Sequence, residues 1–153
     1  MRLSLRPALV QDLAFCESLN RGNMGKYLAA RGVHWDSRRF LASWAEFENL
    51  MIQLEAQDVG LLRLAAEQNG LGLRDLQILQ KHQNCGIGSW AVRQAQTIAA
   101  ERGFQRLQLR VYEENPASRM YSRLGFKTEL TNDGKAHMMF VLPSNISFKP
   151  PPQ

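Results

Sequence analysis

The sequence predicts a mixed α/β domain, one sheet with flanking helices, and three observations carry that prediction. Apolar residues alternate or run together in RLSLR (2–6), LMIQLE (50–55), VGLLRLAA (59–66), LGLRDLQIL (71–79) and RLQLRVY (106–112), as strands require. Other segments, among them 9–19, 36–47 and 87–102, place apolar residues at helical spacing. Leu71 to Arg102 joins both patterns: a strand, a tight loop with two glycines, and a helix.

In chain order, residues 2–6 read as an opening strand stopped by Pro7. Leu9, Leu13, Phe15, Cys16 and Leu19 give a helix that Asn20-Arg21-Gly22-Asn23 is expected to break. A second short helix, Met24–Ala30, is expected to end at Arg31-Gly32. A third starts at Trp35-Asp36-Ser37, with Asp36 as N-cap and Phe40, Leu41, Trp44 and Phe47 on one face. Leu50–Glu55 and Val59–Ala66 form a hairpin about Gln57-Asp58, and Gln68-Asn69-Gly70 turns the chain into the strand Leu71–Leu79. The helix after the loop buries Ile87, Trp90, Ala91, Ala95, Ile98 and Ala99 and ends at Gly103. A strand (Arg106–Tyr112), a short helix (Asn115–Leu124) stopped by Gly125, and two strands joined at Asn132-Asp133-Gly134 complete the order. The tail, Ser144–Gln153, has no partner pattern and is expected to be a loose end, so residues 1–143 are read as one domain.

Bulk properties narrow the function. A chain of 153 residues suits one sizeable core, and its 44% apolar and 22% charged content is ordinary for a globular protein. No apolar run has membrane-spanning length, and the start, MRLSLRPALVQDL, lacks the pattern of a signal peptide, so a cytoplasmic protein without a membrane partner is expected. Cys16 and Cys85 belong to no metal-ligand spacing, and His34, His82 and His137 stand apart, so no metal site and no disulfide are expected. The net charge of +5 favours acidic ligands. The basic residues are dispersed, with Arg38-Arg39 the only adjacent pair, which fits a phosphate-bearing small ligand better than nucleic acid. The loop agrees. Glycines at a helix mouth let backbone approach a bulky group, and the helix's first N–H groups and positive end favour an anion there.

The loop Gln83-x-x-Gly86-x-Gly88 resembles the Q/R-x-x-G-x-G/A signature of the GNAT superfamily of N-acetyltransferases. The run Asn115-Pro-Ala-Ser-Arg-Met-Tyr121-Ser-Arg-Leu-Gly125-Phe126 resembles that superfamily's N-P-A-x-R-x-Y-x-x-L-G-F segment, in the right order and with a strand between the two. The resemblance covers Leu50 to Leu142 well and the first third in outline. It implies a mostly antiparallel sheet of about seven strands, with acetyl-CoA in the gap between two splayed parallel strands ending near Leu79 and Tyr112. It also implies that amides of Gln83, Asn84, Cys85, Gly86, Ile87, Gly88 and Ser89 hold the pyrophosphate. Main-chain groups of Ile78 and Leu79 would pair with the pantetheine arm, Asn115 would touch it, and Tyr121 would lie near the thioester sulfur. Dimerisation through the last strands is common in that superfamily, so the resemblance leaves a homodimer among the partners.

Transfer to an amine, whether of a small molecule, a peptide or a protein, needs the amine neutral. A lysine-like amine of pKa about 10.4 is neutral only a few times in ten thousand at pH 7, a cost of roughly 4 to 5 kcal/mol. A positioned carboxylate or a water chain can take the proton. The leaving thiolate, with a pKa near 8.5, departs faster when protonated, and tyrosine, near 10, still carries a proton to give. Tyr121 is therefore the candidate acid, beside the alternative of an aromatic packed under the sheet. A main-chain N–H close to Leu79 is the expected oxyanion donor. Many members carry a Glu on the fourth strand a few residues before the loop. Asp75 falls at about that place and, one methylene shorter, would act through water. Glu113 is the second candidate base, and a reaction with no dedicated protein base is the third.

Two departures stand out. Asn84 and Cys85 replace the common Gly-Lys pair, which removes a charge near the phosphates that could add a few tenths to about 1 kcal/mol. A helix N-terminus lowers thiol pKa, which raises a redox reading of Cys85, but a small loop residue is the simpler one. Some bacterial members carry a similar Met-x-x-Tyr followed by Trp-Asp, here Met24, Tyr27, Trp35 and Asp36. In the superfamily this segment lines the acceptor pocket, so Met24, Tyr27 and Trp35 are candidate acceptor contacts, with ordinary core packing as the alternative. A non-catalytic CoA-binding or regulatory domain is the rival function. A dinucleotide-binding domain is disfavoured because the loop lacks G-x-G-x-x-G and no βαβ pattern is read around it.

Overall fold

The computed structural model describes residues 2–143, and the tail read as a loose end, Ser144–Gln153, lies outside them. Among the described residues the chain runs β1 (Leu3–Pro7), α1 (Leu13–Ala29), α2 (Ser37–Glu46), β2 (Glu48–Leu54), β3 (Gln57–Glu67), β4 (Gly70–Ile78), α3 (Ile87–Glu101), β5 (Arg106–Tyr112), α4 (Ala117–Arg123), β6 (Lys127–Asn132) and β7 (Lys135–Val141). The strands form one seven-stranded sheet in the order β1-β2-β3-β4-β5-β7-β6. β1–β2, β2–β3, β5–β7 and β6–β7 pair antiparallel, and β4–β5 pair in parallel with Leu71 opposite Leu107 and Gly72 opposite Gln108. This is the mixed, mostly antiparallel sheet that the sequence predicts. A parallel neighbour requires a crossover, and α3 supplies it. β4–α3–β5 is thus a βαβ unit that the sequence reading did not see, so only the loop sequence still argues against a dinucleotide site. No helix among the described residues is long and apolar enough to cross a membrane.

The backbone of the described residues divides into two compact units, one of residues 2–65 with 73–91 and the other of residues 66–72 with 92–143. In the first, Cys16, Leu19, Phe40, Met51 and Leu61 form a buried cluster against which Ala8, Leu13, Phe15, Trp35, Trp44 and Leu79 pack. Helix α1 corrects the sequence reading, because it runs unbroken through Asn20-Arg21-Gly22-Asn23. A Cβ placed on Gly22 or Gly25 meets nothing within 4 Å, so these glycines are not required by close packing. Tertiary bonds from Asn20 and Asn23 to β4 outweigh their weak helix propensity. Helix α2 begins as expected, with the Asp36 carboxylate accepting from the Arg38 N–H at 2.9 Å, but Leu41 is 44% exposed rather than inward. The β2–β3 turn also moves, to Glu55 and Ala56, whose φ values of 50° and 70° suit a tight hairpin. Asp58 instead sits inside β3, where its carboxylate accepts from Arg6 and Gln53.

A salt bridge braces the edge of this unit. The Arg6 guanidinium grips Asp12 with two bonds, of 2.8 and 3.0 Å, and reaches Asp58 at 3.1 Å, while Asp12 also accepts from the Leu9 N–H at 2.7 Å. The bond from Arg6, chiefly, holds the Asp12 carboxyl below its ordinary range. Its contribution is therefore present above the unfolded carboxylate value and is lost as pH falls through the lower folded value. We expect Asp12→Asn to cost about 1–3 kcal/mol at pH 7, a difference that shrinks below about pH 3. Urea unfolding at both pH values checks it, and an equal loss at both would show that the charge is irrelevant.

In the second unit, two glycines open β4 for a physical reason. A Cβ on Gly70 would stand 2.4 Å from the Arg106 carbonyl oxygen, and one on Gly72 would stand 2.5 Å from the Glu67 carboxylate. Glu67 is fixed there by the Gln108 side-chain amide, which donates to it at 2.6 Å. Leu107, Leu109, Val111, Ala136 and Met138 supply buried side chains from β5 and β7.

Candidate active site

In the first unit the site begins where β4 ends. The Leu79 N–H donates to the Val59 carbonyl at 2.9 Å, and the Leu79 carbonyl accepts from the His82 N–H at 2.8 Å. The Ile78 carbonyl accepts from Asn23 Nδ2 and from Gln83 Nε2, each at 3.0 Å. Three of the four main-chain polar groups of Ile78 and Leu79 are thus engaged inside the chain. Successive residues of a strand direct these groups to opposite edges, so the Ile78 N–H points away from β3. The Leu79 N–H is not the oxyanion donor expected close to that residue, because β3 takes it.

The loop itself is shaped by backbone. Asn84 and Gly86 have φ of 61° and 92°, and a Cβ on Gly86 would meet nothing within 4 Å. The Trp90 N–H bonds the Gly86 carbonyl at 3.0 Å, which makes Gly86 the residue before the first helical turn. The N–H groups of Ile87, Gly88 and Ser89 therefore have no acceptor within α3 and gather at its positive end. Successive residues of opposite backbone hand also make an anion-binding concavity. The residues present fit a pyrophosphate. Ile87 offers only its amide, since its side chain is buried in the core. Gln83 braces the loop through its side chain, and Cys85 is exposed with Sγ 2.8 Å from the His82 carbonyl.

Asp75 sits nearby on β4 with its side chain 9% exposed. Its Oδ1 accepts from Gln77 Nε2 at 2.8 Å and its Oδ2 from Asn20 Nδ2 at 2.6 Å, and Arg63 Nη1 stands 3.6 Å from Oδ2. Burial pushes the Asp75 carboxyl up and outweighs these donors, which pull it down. Arg63 is itself buried between aromatic rings, its Cζ 4.5 Å from the Phe40 centroid and 4.8 Å from that of Phe47. Its Nε donates to Asn49 Oδ1 at 2.8 Å and its Nη2 to Ser43 Oγ.

The acceptor candidates differ among themselves. Met24 is half-buried, whereas Tyr27 is buried with Lys26 Nζ 5.1 Å above its ring. Trp35 is half-buried, packs 5.8 Å from Phe40, carries Arg21 5.5 Å over its ring, and donates from Nε1 to Asn20 Oδ1 at 2.8 Å. Trp35 and Asp75 are therefore joined through Asn20, a residue the sequence reading took for a helix breaker. Arg63 was missed as well. Its signal was an arginine inside the apolar run VGLLRLAA.

In the second unit, Asn115 Oδ1 accepts from the Ala117 N–H at 3.0 Å and so caps α4. Tyr121, on α4, is 6% exposed, with its ring edge-on to Phe126 at 5.6 Å. Glu113 follows β5 and is exposed.

Residues 16–126 match the model of the acetyltransferase (GNAT) family. The chain belongs to that family. No curated protein matches it. Among solved structures, the PaiA N-acetyltransferase from Thermoplasma acidophilum in complex with coenzyme A is 19% identical, with 92% of this chain and 99% of that one covered and a TM-score of 0.73. The ribosomal-protein-S18-alanine N-acetyltransferase from Escherichia coli is 16% identical over 94% and 96%, with a TM-score of 0.72. Spermidine N-acetyltransferase from Vibrio cholerae in complex with CoA and spermine is 19% identical over 92% and 95%, with a TM-score of 0.71. At these identities the likeness establishes the fold.

Proposed function

We propose that this protein is a cytoplasmic N-acetyltransferase, formed by residues 1–143 as one domain, that moves an acetyl group from acetyl-CoA to a primary amine by direct attack in a ternary complex. The observation that carries the reading is the Gln83–Ser89 loop, whose positive-φ Asn84 and Gly86 open α3 with its amides presented to an anion. Family membership supports the chemistry. The thioester supplies an activated acyl group. The amine nitrogen bonds to the acyl carbon as the carbon–sulfur bond breaks, the amine proton goes to Asp75 through water, and the departing sulfur takes the Tyr121 proton. The Ile78 N–H is the candidate donor to the carbonyl oxygen. Asn115 touches the pantetheine, and Met24, Tyr27 and Trp35 face the acceptor.

Asp75 is a better base than Glu113 on physical grounds. A buried carboxylate with a raised pKa holds a proton more strongly than one in water, and basicity near the working pH is what proton abstraction needs.

Isothermal titration with acetyl-CoA, NADH and adenosine nucleotides tests the reading, followed by a thiol-release assay on a panel of amines. Micromolar acetyl-CoA binding, no NADH binding and amine-dependent thiol release are expected. Binding without turnover on any amine would favour the non-catalytic alternative. No acetyl-CoA binding at millimolar concentration would overturn the enzyme reading.

A further inference from the structure

Helix α1 turns a polar amide toward β4. Asn20 lies one residue after the buried Leu19, with Nδ2 2.6 Å from Asp75 Oδ2 and Oδ1 2.8 Å from Trp35 Nε1. Chemistry fixes the orientation of that amide. An indole N–H can only donate and an ionised carboxylate can only accept, so a flipped amide would face donor with donor and acceptor with acceptor. A single side chain of α1 thus ties the segment ahead of α2 to a carboxylate on β4.

The groups facing Asp75 come from three elements. β4 supplies Gln77, β3 supplies the charged Arg63, and α1 supplies Asn20. Arg74, beside Asp75 on β4, stacks on Phe47 and weighs on Arg63. Cys16 also faces this cluster from α1, and burial pushes its thiol up to about 12, so it stays neutral. Each hydrogen-bonding neighbour of the carboxylate is a donor, and each lowers its affinity for a proton against the opposing effect of burial.

We propose that Asn20 is a positioning residue for acetyl transfer, one that locks the Asp75 carboxylate to the Trp35 indole so that the acceptor-facing segment and the proton acceptor behave as one unit. The inference rests on the assignment of Asp75 as proton acceptor and goes beyond it by making Trp35 act through Asn20. An amine seated against Trp35 is then held in register with the carboxylate. Disturbing Trp35 disturbs Asp75 only as far as Asn20 transmits it.

The test compares Asn20→Leu, Trp35→Phe and the double variant. Asn20→Leu is expected to lower kcat about tenfold, with KM for acetyl-CoA held within about twofold. Its acidic limb of kcat/KM should move to higher pH, because the ionised carboxylate has lost a donor. Trp35→Phe is expected to cost about threefold, and the double variant about tenfold rather than the thirtyfold of independent sites. Carboxyl NMR titration of Asp75 reads the same coupling without turnover and should move upward in Asn20→Leu. A thirtyfold loss in the double variant, or an unmoved Asp75 titration, overturns the proposal. If Asn20→Leu does not fold, Trp35→Phe decides alone, since it should shift the Asp75 titration upward by less, and no shift overturns the proposal. A wild-type protein that transfers no acetyl group sinks the enzyme reading, yet the titration still decides whether Asn20 governs Asp75.

Discussion

Replacing Tyr121 with Phe is expected to lower kcat at least tenfold while leaving the acetyl-CoA dissociation constant within about twofold of wild type. The substitution removes one oxygen and keeps the ring, which is 6% exposed and packed edge-on against Phe126. Fold and cofactor affinity should therefore persist. The pH dependence carries the diagnosis. A departing sulfur with a thiol pKa near 8.5 leaves better when it is given a proton. A tyrosine of pKa near 10 holds that proton at neutral pH but loses it as the solution becomes more basic, so the wild type gives up the same aid. The deficit should thus be greatest near pH 7 and narrow above about pH 9. Undiminished transfer across the range would remove Tyr121 from the acid role. Loss of acetyl-CoA binding in parallel with rate would instead make it a packing residue.

The parts of this molecule that follow from local rules were legible in the sequence. Arg106–Tyr112 is both the expected strand and β5, because alternation over seven residues, with Leu107, Leu109 and Val111 on one buried face, leaves little choice of register. Asp36 caps α2 as its residue type predicts. The loop from Gln83 to Gly88 was readable because glycine at positive φ is a local requirement. What failed depended on partners distant in sequence. Asn20 and Asn23 look like helix breakers until β4, some fifty-five residues away, takes their side chains. Gln57-Asp58 looks like a turn until Arg6 claims the Asp58 carboxylate. The same logic explains Arg63 and Asp75. Each is a charge set among apolar residues of its strand, and only the neighbouring places of β3 and β4 in the sheet reveal that one compensates the other.

That compensation makes Arg63→Ala the substitution with the largest expected effect on stability. Arg63 has its side chain 4% exposed, sandwiched by Phe40 and Phe47 and bonded to Asn49 and Ser43, with Asp75 at 3.6 Å. Removing one partner of a buried pair leaves an uncompensated charge, at about 3–5 kcal/mol, or roughly 10 °C in Tm for a chain of this size. The sign with pH follows from Asp75, whose folded pKa lies above its unfolded value because of burial. The folded state therefore holds that proton more tightly, and stability falls as pH rises from the ordinary carboxylate value to the folded one. Without Arg63 the folded value climbs further, so the destabilisation should be smaller at about pH 5 than at about pH 8. Urea unfolding of the variant at both values measures this. Adding Asp75→Asn should restore part of the loss at the higher pH, since no charge is then left buried alone. A loss that is independent of pH, with no recovery in the double variant, would place the stabilisation in the aromatic sandwich around the guanidinium rather than in its charge.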